Sequence, residues 1–168
     1  MIIYFLRHAS AGEHKTDPKK DEKRALDKEG IEQCSMIGRA LASMNVHVDV
    51  TISSPLKRAA QTAALVSNEI GYEGKLQLSP SLKPGAGVEE FYELLQKYAE
   101  YEAIMVVGHN PNLSEFLGRL IGRRSPSQVD LKKGAVAKVD ADSKGGTLEW
   151  CITPKIVRAI CESNSSKK

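Results

Sequence analysis

Two short apolar runs constrain this chain more than any other feature. Ile2-Ile3-Tyr4-Phe5-Leu6 stops at Arg7-His8, and Ala103-Ile104-Met105-Val106-Val107 stops at Gly108-His109-Asn110. Runs of this length fall far below the ~18 apolar residues of a membrane span. They read instead as strands buried on both faces, the signature of a parallel sheet covered by helices on each side. Ending such a strand in a cation or an imidazole is costly unless something uses it.

Between and after these runs, helical and extended patterns alternate. Glu29–Met44 carries Cys34, Ile37, Leu41 and Met44 at helical spacing, which predicts one amphipathic helix. Leu56–Ile70, ended by Gly71, predicts a second, with Ser54 placed to cap it. Val88–Ala99 and Asn112–Ile121 predict two more. Extended segments are expected at Val48–Ser53 and Lys75–Leu78. Ala135–Val139 and Thr147–Ile152 flank the turn-rich "DADSKGG" and read as an antiparallel hairpin. The order βαβαβαβα followed by ββ predicts a three-layer α/β/α sandwich, its sheet mostly parallel with a C-terminal antiparallel hairpin. Loops are expected at Gly12–Leu26, which is dense in Lys and acid, and at Ser79–Gly87. The chain reads as one domain over residues 1–162 with a frayed tail over 163–168.

Composition excludes several classes. The net charge of +3, from 24 basic and 21 acidic residues, is too mild for a nucleic-acid binder, and Arg123-Arg124 and Lys132-Lys133 read as solvated surface. A slight positive bias suits a phosphorylated substrate. The N-terminal apolar run has no basic start before it and is not read as a signal peptide. Cys34, Cys151 and Cys161 have no paired spacing, so free thiols in a reducing, cytoplasmic compartment are expected. Nothing in the sequence sets the oligomeric state.

Ligands of open parallel sheets bind beyond the carboxyl ends of the strands. There the sequence places Arg7 and His8, then Ser53-Ser54 with Arg58 one turn on, then His109 and Asn110. Arginine's planar fork of donors matches phosphate oxygens, and a helix start adds free N–H groups to Arg58. Neutral histidine is a nucleophile near working pH. One histidine is placed to attack phosphorus while the other donates to a non-bridging oxygen. There is no P-loop, no paired aspartate and no histidine–carboxylate metal cluster, so chemistry without metal or cofactor is expected. His14 and His47 lack such a setting and read as solvent-facing or structural.

The stretches "LRHASA", "SSPLKRAAQTA" and "VGHNPNLSEFLG" resemble the histidine phosphatase superfamily, which includes the cofactor-dependent phosphoglycerate mutases. Within it the chain looks most like the SixA-type phosphohistidine phosphatases. It is short, has Arg-His-Ala where the wider family has Arg-His-Gly, and carries "RALDKEGIEQCSMIGRAL", similar to the Leu-Thr-x-x-Gly stretch of that branch. The resemblance covers about residues 1–155. It implies that His8 is a nucleophile carrying a transient phosphohistidine, and that Arg7, Arg58 and His109 line the phosphate pocket. Arg24 either guides phosphate or is a loop-surface charge, and Asn110 either fixes the turn before His109 or touches substrate.

The chain also departs from the family. Mutases and many small-molecule phosphatases of the family carry a general-acid glutamate after the third strand. Here Lys83 and Pro84 stand at that place, and Glu89 and Glu90 follow several residues later. A missing acid disfavours alkoxide leaving groups and favours the imidazole of phosphohistidine. The expected substrate is therefore a phosphohistidine-bearing protein. The alternative is a small phosphorylated metabolite, with Glu89 or Glu90 as the acid.

Overall fold

The structure, a computed structural model, describes residues 1–122 and 128–165, the last two by backbone alone. The Arg123-Arg124 pair and residues 166–168 of the expected tail lie outside the described residues.

Six strands form one sheet in the order β3-β2-β4-β1-β5-β6. These are β1 (Ile2–Arg7), β2 (Val50–Ser53), β3 (Gln77–Leu78), β4 (Ala103–Gly108), β5 (Val136–Asp142) and β6 (Gly145–Ile152). The first four are parallel; β5 pairs antiparallel with β1 and β6 with β5. The helices are α1 (Pro18–Glu22), α2 (Lys28–Ser43), α3 (Lys57–Glu69), α4 (Val88–Lys97), α5 (Asn112–Ile121) and α6 (Pro154–Ser165).

The period of two along each inner strand explains the unbroken apolar runs. Ile3, Phe5, Ile104 and Val106 pack on one face with Phe91 and Leu94 of α4 and Phe116 and Leu117 of α5. Tyr4, Leu6, Met105 and Val107 pack on the other with Ile37 and Leu41 of α2 and Ala63 and Val66 of α3. Ile2–Leu6 and Ala103–Val107 are apolar at every position because both faces are core, which makes the three-layer α/β/α sandwich. At about 25 cal/mol per Å2 of apolar area, each such aliphatic side chain contributes about 1.5–3 kcal/mol.

Four expectations need correction. The hairpin strands run into "DADSKGG" and leave only Ser143 and Lys144 as the turn, because Asp142 pairs directly with Gly145, whose φ of 138° suits glycine. The expected loop after β1 holds α1, which Pro18 opens and the Asp17 side chain caps by accepting from the Lys19 N–H. Helix α6 was not expected at all; Thr153 Oγ1 accepts from the Ile156 N–H and Pro154 takes the first helical position. Met44 lies at the end of α2, 45% exposed, and not in the core with Cys34, Ile37 and Leu41.

Candidate active site

The carboxyl ends of β2, β4 and β1 stand side by side. In the ladder Ser53 is level with Val107 and Arg7 with Gly108. The pairing continues one residue past the strands: His8 N–H donates to Gly108 O at 3.0 Å and Ser54 N–H to Val107 O at 2.9 Å. His109 thus emerges between Ser54 and His8. The two imidazoles lie with ring centroids 4.9 Å apart, tilted by 55°.

Both rings are almost sealed, 6% exposed for His8 and 3% for His109. The Nδ1–H of His8 donates to Ala9 O at 2.8 Å. A carbonyl only accepts, so the proton of the neutral ring sits on Nδ1 and Nε2 keeps its lone pair. Burial pushes the His8 pKa down to about 4; the Ala9 contact works against this, and the charges of Arg58, Arg7 and Arg24 add to it. Burial, then His8 and the three arginines, push His109 down to about 2.

His109 Nε2 is partnered by Ser54. The Leu56 N–H donates to Ser54 Oγ at 3.3 Å, and Ser54 Oγ lies 2.8 Å from His109 Nε2. A hydroxyl has one proton and two lone pairs, so while accepting from Leu56 it can also donate to Nε2, the arrangement in which the ring proton sits on Nδ1. That Nδ1 is buried without a partner in the protein. Ser54 therefore does not cap α3 as expected; the N-cap is Leu56, with no side-chain bond.

The arginines surround this pair. Arg58, in the first turn of α3 and 5% exposed, donates from Nη1 to Asp21 O at 3.0 Å and lies 3.2 Å from Asp21 Oδ2. Arg24 donates from Nε to Asp21 Oδ1 at 2.9 Å and from Nη1 to Gly12 O at 2.8 Å. Burial works to raise the Asp21 pKa. The Lys15 N–H, the Arg24 hydrogen bond and the charges of Arg58 and Arg24 outweigh it and hold the carboxyl below its ordinary value. Arg7 donates from Nη1 to Leu131 O at 2.8 Å, and the Nε atoms of Arg7 and Arg58 are buried without partners. Unsatisfied buried polar atoms of this kind are rare, and among the described residues Arg7 Nε, Arg58 Nε and His109 Nδ1 are three, all gathered here.

Arg7, His8, Arg58 and His109 thus converge, and Arg24 joins them through Asp21. Asn110 does not point at a vacant position: its Nδ2 donates to Leu131 O at 2.9 Å and its Oδ1 accepts from Ser114 Oγ at 2.8 Å. Glu90 spends Oε2 on the Gly87 N–H at 2.6 Å, at the start of α4. Lys83 pairs with Glu22 at 3.0 Å, and both line the rim beside the site together with Asp21 and the exposed His14. Sequence reasoning missed Asp21, Ser54 as the partner of His109, and Thr62, whose Oγ1 accepts from the Ala9 N–H at 3.1 Å. For Asp21 the sequence did hold a signal: it stands three residues before Arg24, the spacing of a helical ion pair.

The model of the histidine phosphatase superfamily (branch 1) matches residues 3–83, which include Arg7, His8 and Arg58. An uncharacterised protein of Picosynechococcus sp. is 28% identical over 139 residues, 81% of this chain and 82% of that one. The protein histidine phosphatase SixA complexed with tungstate has the same fold, with a TM-score of 0.84 at 22% identity, over 94% of this chain and 99% of that one. The α-ribazole phosphatase of Shigella flexneri superposes with a TM-score of 0.73 at 20% identity, over 92% and 97%. The family match thus spans β1 to β3, and the fold shared with SixA extends over 94% of the chain.

Proposed function

We propose that this chain is a phosphatase that removes the phosphoryl group from phosphohistidine on proteins, through a covalent phosphohistidine on His8. His8 Nε2 attacks phosphorus, and the P–N bond to the substrate imidazole breaks. That imidazole is protonated on its other nitrogen by solvent before departure and leaves neutral. Water then attacks phospho-His8, releasing inorganic phosphate and restoring the lone pair on Nε2. His109 Nδ1–H, Arg7 and Arg58 donate to the three equatorial oxygens, which is where charge gathers in phosphoryl transfer. Ser54 holds the tautomer of His109, Asp21 holds Arg58 and Arg24, and Asn110 braces the turn that carries His109.

The observation that carries the choice of substrate is the state of the carboxylates. Asp21 is held ionised by two arginines, Glu22 is paired with Lys83, and Glu90 caps α4. Asp21, held in the charged form, is a poor proton donor to an alkoxide, whereas a protonated imidazole leaves unaided. The shared fold with SixA supports the same reading. A second reading, a small-molecule phosphomonoesterase, is favoured by the overlap with the α-ribazole phosphatase fold, which covers 92% of this chain. Among the described residues no helix is long and apolar enough to cross a membrane, and we place the enzyme in the cytoplasm with its substrate.

The test is phosphate release from a phosphohistidine peptide and from a panel of phosphomonoesters, with chelator present and His8→Ala as control. Preference for the phosphohistidine peptide, lost in the control, is expected. Preference for a monoester, lost in the control, establishes the second reading in its place.

A further inference from the structure

A groove of about 640 Å3 opens on the β1 side of the site, and its walls are basic. It is lined by Arg7, Lys132, Lys133, Lys155 and Arg158, with Glu29 the one acid. All but Arg7 are exposed. Among the described residues the ion pairs take up only Lys132, through Asp130. A chain whose net charge is only +3 thus concentrates at least three uncompensated cations on one short surface.

The groove is built on the same backbone that carries the nucleophile. The Gly134 N–H, at the end of the Lys132-Lys133 turn, donates to Arg7 O at 3.1 Å and lies 3.3 Å from His8 O. Arg7 Nη1 holds Leu131 O, the residue before Lys132. Gly134 has a φ of 71°, and a side chain there would meet Pro154 Cγ at 2.9 Å, so the start of α6 is packed directly against this turn. Lys155 and Arg158 follow three residues apart on one face of α6. The phosphate pocket and the basic groove therefore share Arg7 as a common wall.

We infer that this groove docks an acidic segment of the phosphorylated protein, flanking the residue that carries the phosphoryl group. The inference rests on the phosphohistidine-protein reading above. A phosphoryl pocket recognises the same tetrahedral oxyanion on every substrate. Discrimination between phosphoproteins must come from a surface next to it, and complementary charge supplies encounter rate and register. The lining includes no aromatic side chain on which a nucleobase stacks, which favours acidic protein over single-stranded nucleic acid.

The test has two arms. In the first, labelled peptides without phosphate, one flanked by Asp and Glu and one by Lys, are titrated by fluorescence anisotropy against the wild-type chain and a Lys133→Glu/Lys155→Glu/Arg158→Glu variant. The acidic peptide is expected to bind at least tenfold more tightly than the basic one, with the advantage lost in the variant and in about 0.3 M salt. Equal binding of the two peptides, or binding that the variant leaves unchanged, overturns the inference. So does tighter binding of a labelled single-stranded oligonucleotide. In the second arm, the phosphohistidine forms of both peptides and free phosphohistidine are turned over. The variant is expected to raise KM for the acidic peptide at least tenfold, with kcat and the turnover of free phosphohistidine unchanged. An equal loss on free phosphohistidine overturns it. Selective binding without hydrolysis of any phosphohistidine leaves the docking surface standing and removes the phosphohistidine reading.

Discussion

His8 and His109 face one another with ring centroids 4.9 Å apart, and both are held neutral at physiological pH by burial and by the same arginines. Two cationic rings at that distance, beside Arg7 and Arg58, would repel strongly. The depressed values therefore belong to the arrangement itself: a nucleophile with a free lone pair beside a second neutral ring, whose Nε2 is taken up by Ser54.

The first prediction concerns pH. The folded-state pKa of His8, about 4, lies below the ordinary histidine value of about 6.5. The His8 ring is expected to remain neutral as pH falls from 7 to 5, with its Cε1–H resonance moving only around pH 4. Saturating phosphate places negative charge beside the ring and is expected to raise that midpoint. The linked stability has the same sign. The unfolded chain takes up protons first, so the contribution of the neutral rings is whole above about pH 6.5 and is lost as pH falls through about 4 for His8 and about 2 for His109. Thermal melts should show Tm falling below pH 6, with a flatter profile in His8→Gln.

Asp21 yields a prediction in which charge and positioning oppose one another. Its carboxylate holds Arg24 and Arg58, so removing it loosens both; it also neutralises them, so removing it strengthens their pull on phosphate. Arg58 keeps Asp21 O and Arg24 keeps Gly12 O as backbone acceptors that a side-chain change does not touch. Charge is therefore expected to win. Asp21→Asn should lower the inhibition constant of inorganic phosphate about fivefold, the equivalent of about 1 kcal/mol for one charge in a partly solvated site. Weaker phosphate inhibition would show that positioning dominates.

The inner strands were legible because two buried faces leave only apolar residues over Ile2–Leu6 of β1 and Ala103–Val107 of β4. The quartet was legible because four chemistry-bearing residues all follow strand ends. Asp21 was not, since "DPKKDEKR" reads as a charged loop and its value arises only when α1 folds over Arg58. Ser54 was misread as a cap because its partner, His109, is 55 residues away and local rules see only the adjacent helix. Helix α6 was overlooked because β6 appeared to end the pattern; its Val157 packs on the α2 side of the sheet while Ile156 and Ile160 stay exposed.

Ser54 gives a prediction with a direct spectroscopic signature. In the wild-type chain the 15N shifts of His109 should report a protonated Nδ1 and an accepting Nε2. Ser54→Ala removes the donor to Nε2, and the ring becomes free to adopt the other tautomer. Removing one oxyanion donor outright typically costs 10²–10³ in kcat, so losing its positioning partner should cost about 10- to 100-fold, with KM little changed. An unchanged tautomer in the variant would mean that something other than Ser54 sets it.

Gly30 carries the last prediction, because its sign runs against helix propensity. Replacing a glycine inside a helix by alanine ordinarily gains about 1 kcal/mol. A Cβ on Gly30 would lie 1.9 Å from the backbone oxygen of Ser10. That oxygen cannot rotate away as a side chain does. Ser10 is pinned by Gln33 Oε1 on its N–H at 2.9 Å and by Asp27 Oδ2 on its hydroxyl at 2.9 Å. Asp27 is also the N-cap of α2, accepting from the Gly30 N–H at 2.8 Å. Gly30→Ala must therefore push α2 away from the segment that begins at His8, and overpacking of this kind costs about 1–3 kcal/mol. Urea denaturation is expected to show that loss, together with reduced turnover from a displaced Ala9 and His8. Gly12→Ala, where a Cβ meets nothing within 4 Å, is the control and should leave the midpoint unchanged. A Gly30→Ala midpoint equal to or above wild type would mean that the Ser10 segment yields freely, and that the glycine is not what sets the distance between α2 and the nucleophile.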